Sequence, residues 1–377
     1  MAASPRARRW WKIAAIVALV FGILAWWVNR QLEPNRLTAL VLDRAGQSLQ
    51  LEISFKGQPD YALRPEPRLR VPGLSVRAPG GKEFLFAERA EISLPWATLT
   101  GGDPVITRVA LDRPRMDLAG LQAWLALPSA TAFELPTLNH GLEIHDGVLL
   151  APGYRLEALE LELPYLKSGE PAALQAKGRF VRPGTTLDFE TQTAIAAAAA
   201  KSDFTLNAKL LLANTPKALH AKLQTRGNFL LAEARDSVSF DAIALQADSP
   251  LPSLDGHGKL ALGQQLDFTL AATLQRWPVD WPALPSPLAE ASGGLPLNLA
   301  YTGDTQLSAP MSLRIARADT VFDAKLQLPE VLAWMDRPPG SPIPPLVGTL
   351  KTPSLQIGGA QMQGVEIEIG ADDAAPP

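Results

Sequence analysis

The chain contains no cysteine, which excludes disulfides, thiolate metal sites and cysteine nucleophiles. Histidine and tyrosine are scarce, four of each, and charged residues make up only 19%. A net charge of −3 and a pI near 5.9 leave no basic footprint for nucleic acid. The local signatures of common chemistries are also missing: no GxSxG, no Walker A loop and no HExxH. Gly256-His257-Gly258 lacks the third glycine and following helix of a dinucleotide loop. His140 and His145 bracket Glu143, but residues five apart in an extended chain point to opposite sides, so their rings do not converge on a metal. His220 and His257 stand alone in polar strand segments, which predicts solvated or capping roles. Glu160, Glu162, Glu366 and Glu368 alternate with large apolar residues, the pattern of a solvated face rather than an acid/base pair. The expectation is a protein that is not an enzyme, with no catalytic residues, metal or cofactor.

What is present begins with Trp10–Val28, WWKIAAIVALVFGILAWWV, uncharged from Ile13 onward. At 1.5 Å per residue a helix of this length is roughly 28 Å long, which matches a bilayer core of about 30 Å. Trp10, Trp11, Trp26 and Trp27 bracket it as an interfacial belt, and Arg6, Arg8, Arg9 and Lys12 crowd its N-terminal side. The expectation is an uncleaved anchor, since WWVNRQLEP offers no small-residue cleavage site. Residues 1–9 would form a cytoplasmic tail, 10–29 the span, 30–127 and 128–370 two regions of an external body, and 371–377 a loose tail.

Glycine (28) and proline (34) are together above the average share and punctuate short elements. Pro34–Gly46 reads as a helix, with proline in its first turn and Gly46 as its stop. Ser48–Phe55 alternates as a half-buried strand, followed by strands over Leu69–Arg77, Phe84–Leu94 and Pro104–Leu111. Leu118, Leu121, Trp124 and Leu125 recur at helical spacing, which predicts a helix over Leu118–Leu127.

From Leu142 onward alternation dominates. Leu159, Leu161 and Leu163 face away from Glu160 and Glu162, and Phe204, Leu206, Ala208 and Leu210 away from Thr205, Asn207 and Lys209. Val238, Phe240, Ala242 and Ala244 are expected to share one side. Phe268 with Leu270, then Phe322, Ala324, Leu326 and Leu328, then Val365, Ile367 and Ile369 repeat the pattern. Many short antiparallel strands with one polar face are predicted. Glu330–Met335 reads as a helical turn, Ala194–Ala200 as either a short helix or a small-residue strand edge, and Trp277–Pro287 as a loop packed by its tryptophans.

Several of these stretches resemble the N-terminal region of the AsmA family. They are PNRLTALVLDRAGQSLQLEISF and RPEPRLRVPGLSVRAPGGKEFLFAERAEISLPWATLTGGDPVITRVALDRPRMDL, the latter carrying Ile106, Val109, Leu111, Asp112, Pro114 and Leu118. LEIHDGVLL and VGTLKTPSLQIGGAQMQGVEIEI look like turn-and-strand units of the same family. The likeness is detailed over Pro34–Leu118 and one of style over most of Gln31–Ile369. It implies a mainly β protein: one N-terminal transmembrane helix, then a long, curved, mostly antiparallel sheet forming a U-shaped groove, with a few short helices. It further implies a single-pass protein of the bacterial inner membrane with its body in the periplasm, related to bridge-like lipid-transfer proteins. Its implied partners are phospholipids, the inner membrane and envelope or outer-membrane assembly proteins. If roughly 16–18 strands stack in one sheet, the groove is on the order of 80 Å long.

Physical reasoning makes a similar demand. An apolar sheet face must be covered by a second layer, close on itself or hold an apolar ligand, and only about three short helices are expected. A groove for acyl chains would be lined by Leu159, Leu161, Leu163, Phe204, Leu206, Phe240, Phe268, Leu270, Phe322 and Leu326. A sandwich or closed barrel filled by its own side chains is the competing architecture, and a transmembrane β-barrel the third. A tethered scaffold for outer-membrane protein assembly, acting through strand edges and binding no lipid, is the competing function. The anchor gives a first test. The full chain should stay with membranes through an alkaline carbonate wash, and a chain lacking residues 1–30 should appear in the supernatant; retention of the truncated chain would place the attachment elsewhere.

Overall fold

A computed structural model describes residues 42–43, 46, 50–62, 66–96, 106–125, 137–213, 218–232, 235–249, 251–277, 294–304, 307–335, 345–357 and 360–370. Among them no helix is long and apolar enough to cross a membrane. The proposed anchor, with Arg8, Arg9, Trp10, Trp11, Lys12, Trp26 and Trp27, lies outside the described residues, as do most of Pro34–Gly46 and all of Trp277–Pro287 beyond Trp277. The protein is mainly β; the described residues give twenty strands, mostly antiparallel, and two short helices with full bounds. It divides into two compact units, 1–134 with 144–151, and 135–143 with 152–377.

The first unit holds β1 (Glu52–Ser54), β2 (Asp60–Ala62), β3 (Arg68–Arg77), β4 (Glu83–Ser93), β5 (Arg108–Asp112), β6 (Arg115–Asp117), the helix α1 (Leu118–Leu125) and most of β7 (Leu142–Ala151). β3 pairs antiparallel with β1, β2 and β4, and β4 with β5 and β6, whereas β6 and β7 run parallel. Alternation along β3 is interrupted once. Gly73 adopts φ 60°, and the chain passes from Val71 opposite Ala90 to Leu74 opposite Ala87. The register is the same on both sides of Gly73, so no residue is inserted; at its positive φ the inward positions pass from odd to even, and Leu69, Val71, Leu74 and Val76 join Phe84, Ala87, Ala90, Ile92 and Leu111 in one buried core. Asp117 accepts a hydrogen bond from the Ala119 N–H at the start of α1, and Trp124 then stacks on Phe84 at 6.1 Å. On the polar side Glu91 accepts from Arg68, Arg70 and Arg108 at 3.2–3.3 Å.

The second unit is a meander. It contains β8 (Tyr154–Leu163), β9 (Ala172–Arg182), β10 (Thr185–Ile195), β11 (Lys201–Leu212), β12 (Leu219–Leu230), β13 (Asp236–Ala247), β14 (Ser253–Leu262), β15 (Leu266–Arg276), β16 (Leu295–Gly303), β17 (Met311–Arg317), β18 (Thr320–Leu326), β19 (Val347–Ile357) and β20 (Ala360–Ile369). The helix α2 (Leu328–Met335) follows β18. Each of these strands pairs antiparallel with the next in sequence. Among the described residues β8 and β20 do not pair, so the meander is not closed on itself. Thirteen strands about 4.8 Å apart give a contour of roughly 58 Å, shorter than the estimate from sequence because the other strands belong to the first unit.

One local expectation changes: Leu328 opens α2 instead of ending a strand. Ala194–Ala200 takes the second of its two expected forms, a small-residue strand end: Ala194 and Ile195 close β10, and Ala198 bridges to Ser168. That strand end is flanked by Glu170, which accepts hydrogen bonds from Lys167 and Tyr165; these hold its carboxyl below the ordinary glutamate range.

The units differ in how they bury apolar side chains. Val71, Ala87 and Ala90 in the first are fully inaccessible. In the second, Phe204, Leu206, Phe240 and Leu270 are all only half-buried. Leu74→Ala should therefore lower unfolding stability by about 2–5 kcal/mol, and Leu206→Ala by clearly less, measured by denaturant titration. Equal losses would show that the meander has a sealed core.

Candidate functional site

Strand register fixes which side chains of the meander share a face, since directly opposed residues project the same way. Phe204 lies opposite Gly227, Gly227 opposite Phe240, Phe240 opposite Gly258, and Gly258 opposite Leu270. The row continues through Leu299 and Leu313 to Ala324, Gly348 and Ile369. A second row runs from Leu206 through Thr225, Ile243, Gly256 and Ala272 to Leu297, Ile315, Phe322, Leu350 and Ile367. A third joins Leu161, Ala176, Thr191, Ala208, Leu223, Leu245, Leu254 and Leu274. Phe268 lies in a fourth, opposite Leu260 and Tyr301, and Leu326 lies opposite Met311. The ten candidate groove residues thus fall on one face, Leu159 and Leu163 by alternation with Leu161.

Two bulges keep that face in phase. In β8, Ala158 takes φ 49° where the register slips between Glu157 and Glu160, so Leu156 and Leu161 stay on the apolar side, and Leu159 sits at the slip. In β13 the register shifts between Phe240 and Ile243. This corrects an expectation. Ala242 lies opposite Arg226 and Ala244 opposite Gln224, on the polar side, while Ile243 and Leu245 take the apolar one. Simple alternation from Val238 and Phe240 misses the extra residue, because no glycine or proline marks it.

The other face is polar and charge-paired. Arg179 bonds Asp188, Lys209 bonds Glu190, Arg314 bonds Asp323 and Lys351 bonds Glu366, all across neighbouring strands. Hydrogen bonds to their carboxylate partners raise the Arg179 and Lys351 pKa values. These pairs are exposed and screened; what they fix is which side meets water. Two shallow depressions of about 680 and 560 Å3 lie here, one beside Arg314, Asp323, Lys325 and Glu368, the other beside Lys177, Arg179, Glu190 and Lys209. Both are edged by solvated charged side chains, so neither provides a dry surface. The apolar face is the candidate site.

That face is shielded differently at its margins and its middle. Its large, fully buried side chains sit near strand ends: Leu219, Leu274, Leu295, Tyr301, Met311 and Leu355. Trp277 packs against Leu274 and Leu295 at one such end. Towards the middle the buried residues are small, notably Ala208, Ala272 and Ala324, and the Phe and Leu side chains around them stay partly accessible. Phe204 and Phe240 meet edge to face at 6.0 Å across Gly227, spanning β11 and β13. A Cβ on Gly227 would lie 1.8 Å from the Ser239 carbonyl oxygen, and one on Gly256 2.5 Å from that of Ala271. Neighbouring backbone therefore crowds the side on which these strands carry their apolar residues.

Sequence reasoning missed Leu297, Leu299, Leu313 and Ile315, although the alternation in LPLNLAYTG and MSLRIAR displays them. The histidines are dispersed: His140 in a turn, His145 in β7, His257 in β14, and His220 in β12 with Nδ1 3.2 Å from Asp248.

Among its described residues the second unit is thus an antiparallel meander with one charged and one apolar face. No protein-family model, curated protein or solved structure matches the chain. This crowding can be tested directly. Gly227→Val should destabilise the protein by roughly 2–4 kcal/mol, since backbone must move aside. Gly370→Ala, where an added Cβ meets nothing within 4 Å, should leave the unfolding midpoint unchanged. Tolerance of the valine would mean that neighbouring backbone does not crowd Gly227.

Proposed function

We propose that this protein is an AsmA-like component of the bacterial inner membrane, tethered by Trp10–Val28, whose external body binds phospholipid acyl chains along the apolar face of the meander and supports lipid movement and outer-membrane biogenesis. The observation that carries the reading is the register-continuous apolar face from β9 to β20, with large side chains half-accessible at its centre. Such a surface in water is unfavourable by about 25 cal/mol per Å2, and each methylene of an acyl chain laid on it contributes about 0.8 kcal/mol. The close approach of neighbouring backbone to Gly227 and Gly256 supports a U-shaped groove, in which chains would be covered on several sides. The alanines let tails approach the backbone, while the margins are closed by larger residues.

On this reading no covalent chemistry is involved. Leu159, Leu161, Leu163, Phe204, Leu206, Phe240, Phe268, Leu270, Phe322 and Leu326 contact the chains, headgroups remain at the wet rim, and the tether holds one end of the body near a source of lipid. A scaffold acting through strand edges is the competing reading; it gives no reason for large apolar side chains left half-accessible on this face.

The test uses the full chain purified in mild detergent, with bound lipid counted by native mass spectrometry. Phospholipid should co-purify with it. Leu161→Asp or Leu270→Arg should remove most of that lipid while circular dichroism and unfolding midpoint stay close to the parent, because an unpaired charge is tolerated at a half-exposed site but disfavoured beside acyl chains. A parent protein without lipid would overturn the proposal. Variants that keep their lipid would remove this face from it.

A further inference from the structure

We infer that the free edge of β20 is a docking edge for an extended segment of another protein in which apolar residues alternate with lysine or arginine. This inference does not depend on the lipid reading. Among the described residues the pairing register of β20 is with β19, and its ten residues contain no proline and no lysine. Proline, lysine and shortness are usual means of closing a sheet edge to a further strand. Gly364, at φ 61° opposite Pro353, bends the strand, but the register holds on both sides of it. Beyond the bend, Val365, Ile367 and Ile369 continue the apolar face, and Glu366 and Glu368 stand exposed on the polar one.

The charge pattern selects the occupant. Inside the meander several carboxylates on the polar face are opposed by a cation on a neighbouring strand, Asp188 by Arg179, Glu190 by Lys177 and Lys209, Asp323 by Arg314, whereas Asp203 and Asp255 face neutral residues. Glu366 has Lys351 on one side, and Glu368 faces Thr349. On the open side neither has an opposing strand. From Thr352 to Pro377 the chain carries Glu366, Glu368, Asp372 and Asp373 but no lysine or arginine. A second copy paired through β20 would set Glu366 and Glu368 against the same residues, like charges across a strand pair. A basic, alternating segment instead gains ladder hydrogen bonds, extends the apolar face by one strand and completes the sign alternation on the polar one.

The probe is a synthetic peptide alternating valine with lysine, added to the full chain in detergent and followed by fluorescence anisotropy and amide hydrogen exchange. Binding should slow exchange over residues 365–369. The double variant Glu366→Lys, Glu368→Lys should weaken that peptide about tenfold or more and favour one alternating valine with glutamate; both carboxylates are exposed, and exchange in the rest of the sheet checks that the variant folds. No protection at β20, an affinity unchanged by the double variant, or equal binding of a serine–lysine peptide would each overturn the inference. So would concentration-dependent self-association that protects β20, because the occupant would then be a second copy.

Discussion

A sheet one layer thick has to dispose of its apolar side, and most of what is distinctive in this protein follows from that constraint. In the first unit β3 and β4 meet it in the ordinary way: α1 and the flanking strands help enclose Val71, Ala87 and Ala90 in a dry core. Among its described residues the meander has, for such a cover, the eight-residue helix α2. Its apolar side chains instead shield one another along the rows, and the neighbouring backbone closes over Gly227 and Gly256. Ion pairs on the opposite face keep the two sides from exchanging roles, because a slip of one residue would bring Arg179, Asp188, Lys209 and Glu190 onto the apolar strip.

Bulges are the means by which this two-faced arrangement survives over so many strands. At Ala158 and between Phe240 and Ile243, an extra residue is taken up without losing the phase of the strand that follows. Each lets a strand twist and bend while Leu, Ile and Phe stay on one side. The bends and the continuity of the strip are therefore products of the same local irregularities.

Much of this was legible in the sequence. Period-two alternation placed β8, β11, β15, β18 and β20 and chose the face of all ten candidate residues, because a half-buried strand writes its orientation into every second position. The spacing of Leu118, Leu121 and Trp124 located α1. What failed was local: Ala242 and Ala244 were assigned to the apolar side because a bulge without glycine or proline leaves no mark in composition. β2 and β6 were missed because three residues are too few for a period. Pairing partners, the division into units and the accessibility of the apolar face depend on contacts between distant residues, which alternation does not encode.

The nearest-neighbour wiring of β8 to β20 has a consequence for how such a body changes size. Every ladder joins segments adjacent in the chain, so loop-closure entropy is small and each hairpin is a nearly self-contained module. Adding or deleting one hairpin shifts the length by two strand widths, about 10 Å, yet restores both chain direction and facing for all that follows. A single strand would reverse the direction of everything downstream. Growth in even steps makes the meander a ruler with a fixed increment, able to match different gaps without redesign of either face.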